Sequence, residues 1–196
     1  MGNLTDFFSG GGGGGSNVLE QLSFNCDGQT ITTAQGDITA PNCTAYQNVT
    51  STSLADVTNS TVAYQPPSGA TKVVVEYRFL QGHDRTANYY TLGSMVGNFD
   101  GSDVNTSRIQ WFDYGYTSYE RSVQTRDVRF EIKINGQADD IANGTVNTWD
   151  TSKNIKIRAA CYNNSTYNYY LHLTDYWIAS GTEHFVVPSY KITAYS

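Results

Sequence analysis

The sequence predicts an all-β chain that folds as an antiparallel two-sheet sandwich. Apolar and polar residues alternate with a period of two in several segments, turn signals separate these segments, and no stretch keeps a helical period over three turns. The composition agrees, because tyrosine (15 residues), threonine and valine favour pleated sheets, whereas glycine (18 residues) and asparagine favour turns. A length of 196 residues suits one sandwich domain with a tail.

The alternation is clearest in residues 72–79, 128–134 and 155–159. Apolar side chains stand at every second position there, with mainly charged residues between them. Successive side chains of a strand point to opposite faces, so each segment predicts a strand with one core-facing side. Further strands are expected near residues 18–25, 29–33, 45–50, 60–65, 89–96, 107–116, 167–174 and 184–195. Within the sandwich class we expect a jelly-roll, although the period does not determine strand order.

Turn signals separate the predicted strands. Pairs or clusters of Gly, Pro, Asn, Asp and Ser are the strongest local indicators of turns, because they adopt the backbone conformations that turns require. The expected turns are Asp27-Gly28, Pro66-Pro67-Ser68-Gly69, Asn135-Gly136, Asn143-Gly144 and Ser180-Gly181.

The first 16 residues predict an appendage to this domain. Residues 10–15 are consecutive glycines, which form a flexible tether with an average reach of roughly 13 Å. Upstream of them, Leu4, Phe7 and Phe8 are too few to build a core and can be buried only against another surface. We therefore expect a docking peptide at 1–9, a glycine-rich linker at 10–16 and the sandwich at 17–196. A frayed terminus is the alternative.

The charge and hydropathy of the chain argue against nucleic-acid and membrane partners. The net charge is −6, and the 12 basic residues are scattered, whereas phosphate binding needs a dense basic face. No apolar run approaches the roughly 20 residues that span a bilayer. The N-terminus also lacks the basic region and apolar core of a signal peptide. We expect synthesis and folding in a cytoplasm.

The cysteines do not form the even, dense set of a secreted disulfide scaffold. Cys161 continues the alternation of residues 155–159, so we interpret it as a small buried hydrophobic residue. Cys26 and Cys43 are able to bridge in an oxidising medium. At this size, however, the domain is expected to fold without disulfides and without metal.

No motif indicates catalysis. His83, His172 and His184 are not accompanied by a Gly-x-Ser-x-Gly elbow, and a lone histidine carries no mechanism, so surface or packed histidines are the better interpretation. Residues 100–105 resemble an oxygen-rich cation loop but lack the downstream glutamate of an EF-hand, which favours an ordinary Asx turn. We expect a protein that is not an enzyme and has no catalytic residue, metal or cofactor.

Aromatic residues crowd residues 111–119 and 162–177. Tyr and Trp combine apolar area with a polar tip, so they suit interiors, wet interfaces and sugar faces alike. Three interpretations stay open: packing within the sandwich, contact between subunits and glycan binding. The candidate interface or glycan contacts are Trp111, Tyr114, Tyr116, Tyr169 and Trp177.

Short motifs resemble viral structural proteins. Leu4-Thr5-Asp6-Phe7-Phe8 before the glycine tract resembles the heads of structural proteins from marine tailed phages, especially cyanophages. Val18-Leu19-Glu20-Gln21-Leu22, residues 63–69 running into 72–77, and residues 187–194 resemble a β-rich family found in marine phage and algal-virus sequences. The likeness runs over most of the chain.

The resemblance implies a bacteriophage structural protein on the virion surface, assembled in the host cytoplasm. It would be a capsid decoration, a head fibre or a tail appendage, commonly a homotrimer, with capsid or tail-adaptor subunits as partners. The alternative is a receptor- or carbohydrate-binding module of a tail fibre, with a host-surface glycan as partner. A polysaccharide depolymerase is disfavoured by the short chain. The resemblance brings no catalytic or ligand residue.

Overall fold

The structure is a computed structural model that describes residues 17–82, 90–114, 123–162, 169–175 and 183–196. Helix in these ranges is limited to a 3-10 turn, and no helix there is long and apolar enough to cross a membrane. The strands are β1 (Val18–Asn25), β2 (Thr30–Thr33), β3 (Gly36–Thr39), β4 (Gln47–Val49), β5 (Ala55–Asp56), β6 (Val62–Tyr64), β7 (Lys72–Gly82), β8 (Tyr90–Phe99), β9 (Ser102–Tyr114), β10 (Val123–Ile134), β11 (Thr145–Val146), β12 (Lys153–Cys161), β13 (Tyr169–Leu171), β14 (Leu173–Asp175), β15 (Glu183–Phe185) and β16 (Ser189–Tyr195).

The first sheet is built around β7. Its strand order is β1-β16-β7-β10-β11, and β13 and β4 extend it beside the C-terminal end of β7. The pairs are antiparallel except for β10 with β11. Every second residue of β7 from Val73 to Phe79 is buried, as the alternation predicts. The inward side of this sheet is therefore one wall of the core.

The second sheet has the order β5-β12-β8-β9, and β6 also pairs with β12. Its inward residues include Ile155, Ile157 and Ala159, all buried. The space above Gly97 of β8 is filled by the ring of Phe130 from β10, so the two sheets face each other across the core. The predicted antiparallel two-sheet sandwich is confirmed. Jelly-roll topology within that class stays a prediction.

Buried tyrosines supply much of the core and satisfy their hydroxyls within it. Tyr64, Tyr77, Tyr169 and Tyr190 are each at most 1% exposed. Tyr190 of the first sheet donates a hydrogen bond of 2.7 Å to the carbonyl oxygen of Ser60, next to the second sheet. Burial raises the pKa of all four phenols, so they stay neutral. A tyrosine-rich sequence thus builds an interior because each ring brings its own polar tip to a partner.

The predicted turns that the structure describes are confirmed. Gly28, Gly69, Gly136 and Gly144 all have positive φ angles between 70° and 86°, the conformation that favours glycine. Ser180-Gly181 lies outside the described residues.

The β8–β9 hairpin turns at Asp100-Gly101, where both residues have positive φ, as a two-residue turn of type I′ requires. The Asp100 carboxylate accepts a 2.8 Å hydrogen bond from Lys153, and Asp103 accepts two from Arg158. The acidic groups of residues 100–105 therefore pair with cationic side chains of the protein.

Two segments expected as single strands are interrupted. The strand expected at 167–174 is divided at His172, whose φ of 64° bends the chain between β13 and β14. The strand expected at 184–195 is divided before Ser189 by a segment containing Pro188, which has no amide proton to donate to a ladder. Short strands β3, β5 and β11 were not predicted. Their two to four residues are too few to show a period.

We expect Gly97→Ala to lower the free energy of unfolding by about 1–3 kcal/mol, because the added methyl group would overlap the Phe130 ring. Gly82→Ala is the matched control: its added carbon would lie 3.4 Å from Leu173, an ordinary contact, and neither glycine has a positive φ. Urea unfolding of both variants measures the difference. Equal destabilisation at the two glycines would contradict this account of the sheet contact.

Candidate functional site

A concave patch of about 760 Å³ lies on the outer face of the second sheet, where β8, β9 and β12 come together. Leu92 of β8 is directly opposite Phe112 of β9, and Ser94 is flanked by Gln110 on one side and Ala160 on the other. All five line the concavity. Their side chains point outward because they alternate with the inward positions of the same strands.

The lining combines an apolar floor with aromatic and polar groups. Leu54, Leu92 and Ala160 contribute apolar surface, while Arg108 and Gln110 contribute a guanidinium and an amide. Phe112 is 57% exposed and Tyr162 71% exposed, which is unusual for large aromatic side chains. A mainly apolar surface with a few placed polar groups is typical of small-molecule binding sites.

Two polar atoms at this site lack partners. The hydroxyl oxygen of Ser94 and the indole nitrogen of Trp111 are buried, and neither has a hydrogen-bond partner among the described residues. Both residues border the concavity, but the indole of Trp111 points inward against Tyr169, so the Ser94 hydroxyl is the one that belongs to the outward face. A buried polar group without a partner costs about 1–3 kcal/mol of free energy. A ligand or water that supplies the missing hydrogen bond therefore binds more favourably. The site is therefore able to accept hydroxyl-bearing ligands.

Trp111 and Tyr169, which the sequence suggested as interface or glycan contacts, lie in the interior. Trp111 is 8% exposed and Tyr169 is fully buried, and their ring centroids are 5.0 Å apart in an edge contact. Gly93, directly opposite Trp111, leaves the space that the indole fills, and the Arg126 guanidinium lies 4.9 Å from the indole ring. The exposed aromatic residues at this place are instead Phe112 and Tyr162.

The side chains of the other predicted interface or docking residues are not among those that the structure describes. Tyr114 belongs to β9, where it is opposite Tyr90, but its side chain is not described. The remaining predicted residues lie outside the described part of the chain: Tyr116, Trp177 and the docking residues Leu4, Phe7 and Phe8. Their roles stay predictions.

Adjacent aromatic residues explain why sequence reasoning chose Trp111 and missed its neighbour Phe112. The two occupy successive positions of β9 and so point to opposite faces. The signal that could have separated them is Gly93, because a glycine opposite a tryptophan indicates room for a ring on that face. That signal becomes usable only when the pairing of β8 with β9 is known.

The concavity lies at one pole of the sandwich and the chain enters at the other. At the start of β7, Lys72 pairs with Tyr195, and the neighbouring Ser196 amide donates to the carbonyl oxygen of Asn17. At the end of β7, Gly82 pairs with Tyr170, next to the Tyr169 ring that contacts Trp111. β7 has eleven residues, so its two ends lie roughly 30 Å apart.

The histidines show no catalytic arrangement in the described residues. His172 is 1% exposed and is surrounded by the rings of Tyr77, Phe79 and Phe185. Its Nε2 lies 3.2 Å from the Tyr77 hydroxyl, and burial lowers the pKa of the imidazole to about 4. His184 is exposed, and His83 lies outside the described residues. His172 is thus a packed, neutral histidine.

Metal-binding groups are also not assembled in the described ranges. No cluster of three or more His, Cys, Asp or Glu side chains is placed there to hold an ion. Comparison with known proteins adds no further assignment: no protein-family model matches the chain, and no curated protein matches it.

We expect acid to destabilise the protein through His172. The unfolded imidazole takes up a proton near pH 6.5, whereas the folded one stays neutral until about pH 4. Between these values the unfolded state binds more protons. The contribution of the neutral His172 to the free energy of unfolding, up to about 3 kcal/mol, is thus fully present above pH 6.5 and is lost as the pH falls to 4.

His172→Asn removes the titration and keeps a residue that tolerates positive φ. The difference in free energy of unfolding between wild type and this variant should narrow from pH 7 to pH 4, measured by urea titration at each pH. Parallel curves for the two proteins would contradict the buried neutral histidine. Carboxylates that titrate in the same window affect both proteins and cancel in the comparison.

Proposed function

We propose that this chain is a non-enzymatic structural protein displayed on the exterior of a virus particle. The docking peptide at residues 1–9 attaches it, the linker at 10–16 gives it reach, and the sandwich projects outward. The viral context comes from the motifs that resemble marine tailed-phage proteins. The outward display is supported by where the chain entry and the concavity lie on the sandwich.

The observation that carries the proposal is the opposite placement of the chain entry and the concavity. β1 pairs with β16 from Val18 to Asn25, so the point where the linker joins the domain is held at one pole. A domain tethered at that pole presents the other pole to its surroundings. The concavity with its exposed aromatic residues lies at that far pole.

Apolar surface near the tether supports a contact with other subunits. Val18 and Leu19 of the edge strand β1 are 48% and 37% exposed. An exposed apolar edge strand is a liability that burial against a partner removes. Copies of this chain, in the homotrimer that the resemblance implies, or capsid or tail-adaptor subunits, are the proposed partners.

A second candidate function, carbohydrate-binding module of a phage fibre, is favoured by the concavity. The apolar faces of sugar rings suit aromatic side chains such as Phe112 and Tyr162. Sugar hydroxyls would find partners in Ser94, Arg108 and Gln110. In this case the far pole is the receptor-binding end, and display on the virion still holds.

We expect a chain lacking residues 1–9 to fold with an unchanged melting temperature and to fail to join the particle, because a glycine linker transmits no support to the core. Addition of purified full-length and truncated protein to particles lacking this component, followed by sedimentation, measures incorporation. A chain with Leu4, Phe7 and Phe8 replaced by serine is the length-matched control and should fail likewise. Incorporation of either at the wild-type level would rule out the docking role.

We expect the double variant Phe112→Ala, Tyr162→Ala to bind oligosaccharides at least about tenfold more weakly than wild type, since aromatic anchors dominate such contacts. Tyr46→Ala is the control, because Tyr46 is 43% exposed and does not line the concavity. A panel of neutral and acidic oligosaccharides, measured by glycan array and calorimetry, provides the test. A wild-type chain that binds none of them would exclude the second candidate and leave the display role standing.

A further inference from the structure

Cys26 and Cys43 lie opposite each other at the end of the first sheet, although 16 residues separate them in the sequence. The Cys43 amide donates a hydrogen bond of 2.8 Å to the carbonyl oxygen of Cys26. The neighbouring residues Asp27 and Asn42 form an antiparallel bridge, and the Gly28 amide donates to the carbonyl oxygen of Pro41. The two cysteines are thus directly paired across a short antiparallel ladder.

This pairing matches the geometric requirement of a disulfide. Residues opposite each other in an antiparallel ladder have Cα atoms about 4.5–5.5 Å apart. Disulfide-linked cysteines have Cα atoms about 4.4–6.8 Å apart. The Cys43 Sγ donates a hydrogen bond of 3.0 Å to the carbonyl oxygen of Asn59, and the proximity of the two thiols raises the pKa of Cys26 and lowers that of Cys43. Little backbone movement is therefore needed to bring the two sulfur atoms into a bond.

We propose that Cys26 and Cys43 are a disulfide-forming site, which closes when the chain folds in the presence of a low-molecular-weight disulfide. In the structure both residues are thiols, and both are buried. Native burial restricts access of the oxidant, so exchange takes place during folding or on local opening of the strand end. Cys161, which is buried beside Gly93 in the second sheet, is not part of the site.

The reaction is thiol–disulfide exchange in two steps. The Cys43 thiolate attacks one sulfur of the small disulfide, whose other sulfur leaves as a thiolate and takes up the proton that Cys43 lost. Deprotonated Cys26 then attacks the Cys43 sulfur of the mixed disulfide and expels the second small thiolate, which is protonated in turn. Two protein thiols are oxidised to one disulfide, and one small disulfide is reduced to two thiols.

The bond would close a loop that contains the β2–β3 hairpin. This hairpin forms a two-stranded sheet of its own, outside the two large sheets, and packs against the core through Ile31 and Ile38. A cross-link at its base ties β1 to the segment that leads into β4. A loop of this length is expected to raise the melting temperature by roughly 5–10 °C.

Refolding of the full chain with oxidised and reduced glutathione, followed by iodoacetamide labelling and tryptic digestion, tests the proposal. The first Lys or Arg is Lys72, so trypsin leaves Cys26 and Cys43 in one peptide, 1–72, and Cys161 in another, 159–191. We expect peptide 1–72 to be unlabelled and lighter by two hydrogen atoms. Peptide 159–191 should carry one label.

Cys161→Ala should leave this result unchanged, whereas Cys43→Ala should give a labelled Cys26. If the Cys43 variant does not fold, wild type supplies the second measurement: its melting temperature should fall when a phosphine reductant is added to the oxidised protein. Two labels on peptide 1–72 after oxidative refolding, loss of the label at Cys161, or an oxidised form less stable than the reduced one would overturn the proposal.

Discussion

The register of β7 is the constraint on which the arrangement of the molecule depends. β7 pairs with β10 along its whole length, from Lys72 to Gly82, and with β16 from Lys72 to Arg78. Side chains alternate strictly in a strand, so a slip of one residue would turn the buried positions from Val73 to Phe79 toward solvent. The hydrophobic cost of that slip holds three strands in one alignment, and the ends of β7 then define the two poles of the sandwich.

The position of the candidate site follows from this alignment. β16 brings the chain terminus and Asn17 to the Lys72 end, while β13 places Tyr169 at the Gly82 end. Tyr169 packs against Trp111, which faces inward across Gly93. With the indole directed inward, the next residue, Phe112, must face outward. The exposed aromatic surface is thus a consequence of how the core is packed.

Some buried polar side chains have hydrogen-bond partners within the protein, and others do not. The buried tyrosine hydroxyls find carbonyl, carboxylate or imidazole partners. Among the described residues, the buried side-chain atoms without a partner belong to Ser94, Trp111 and His172. Two of these three residues line the concavity. Buried polar groups are normally paired in native proteins, so the unpaired Ser94 hydroxyl on the outward face agrees with a binding role there.

Local pattern determined the elements of this protein. The alternation in residues 72–79, 128–134 and 155–159 predicted β7, β10 and β12, and the glycine pairs predicted turns whose φ angles are positive. Both are properties of neighbouring residues, which a sequence displays directly. The glycine tract likewise indicates a linker by composition alone.

Tertiary structure decided everything that depends on which strands meet. The exposure of Phe112, the burial of Trp111 against Gly93 and the pairing of Cys26 with Cys43 all depend on contacts between segments distant in sequence. The positive φ of His172 and the aromatic rings around that residue are likewise features that the sequence does not display. A sequence period of two indicates only that a strand has one apolar and one polar face. Only the packing of one sheet on the other determines which face is inside, because a face is buried only where the second sheet covers it.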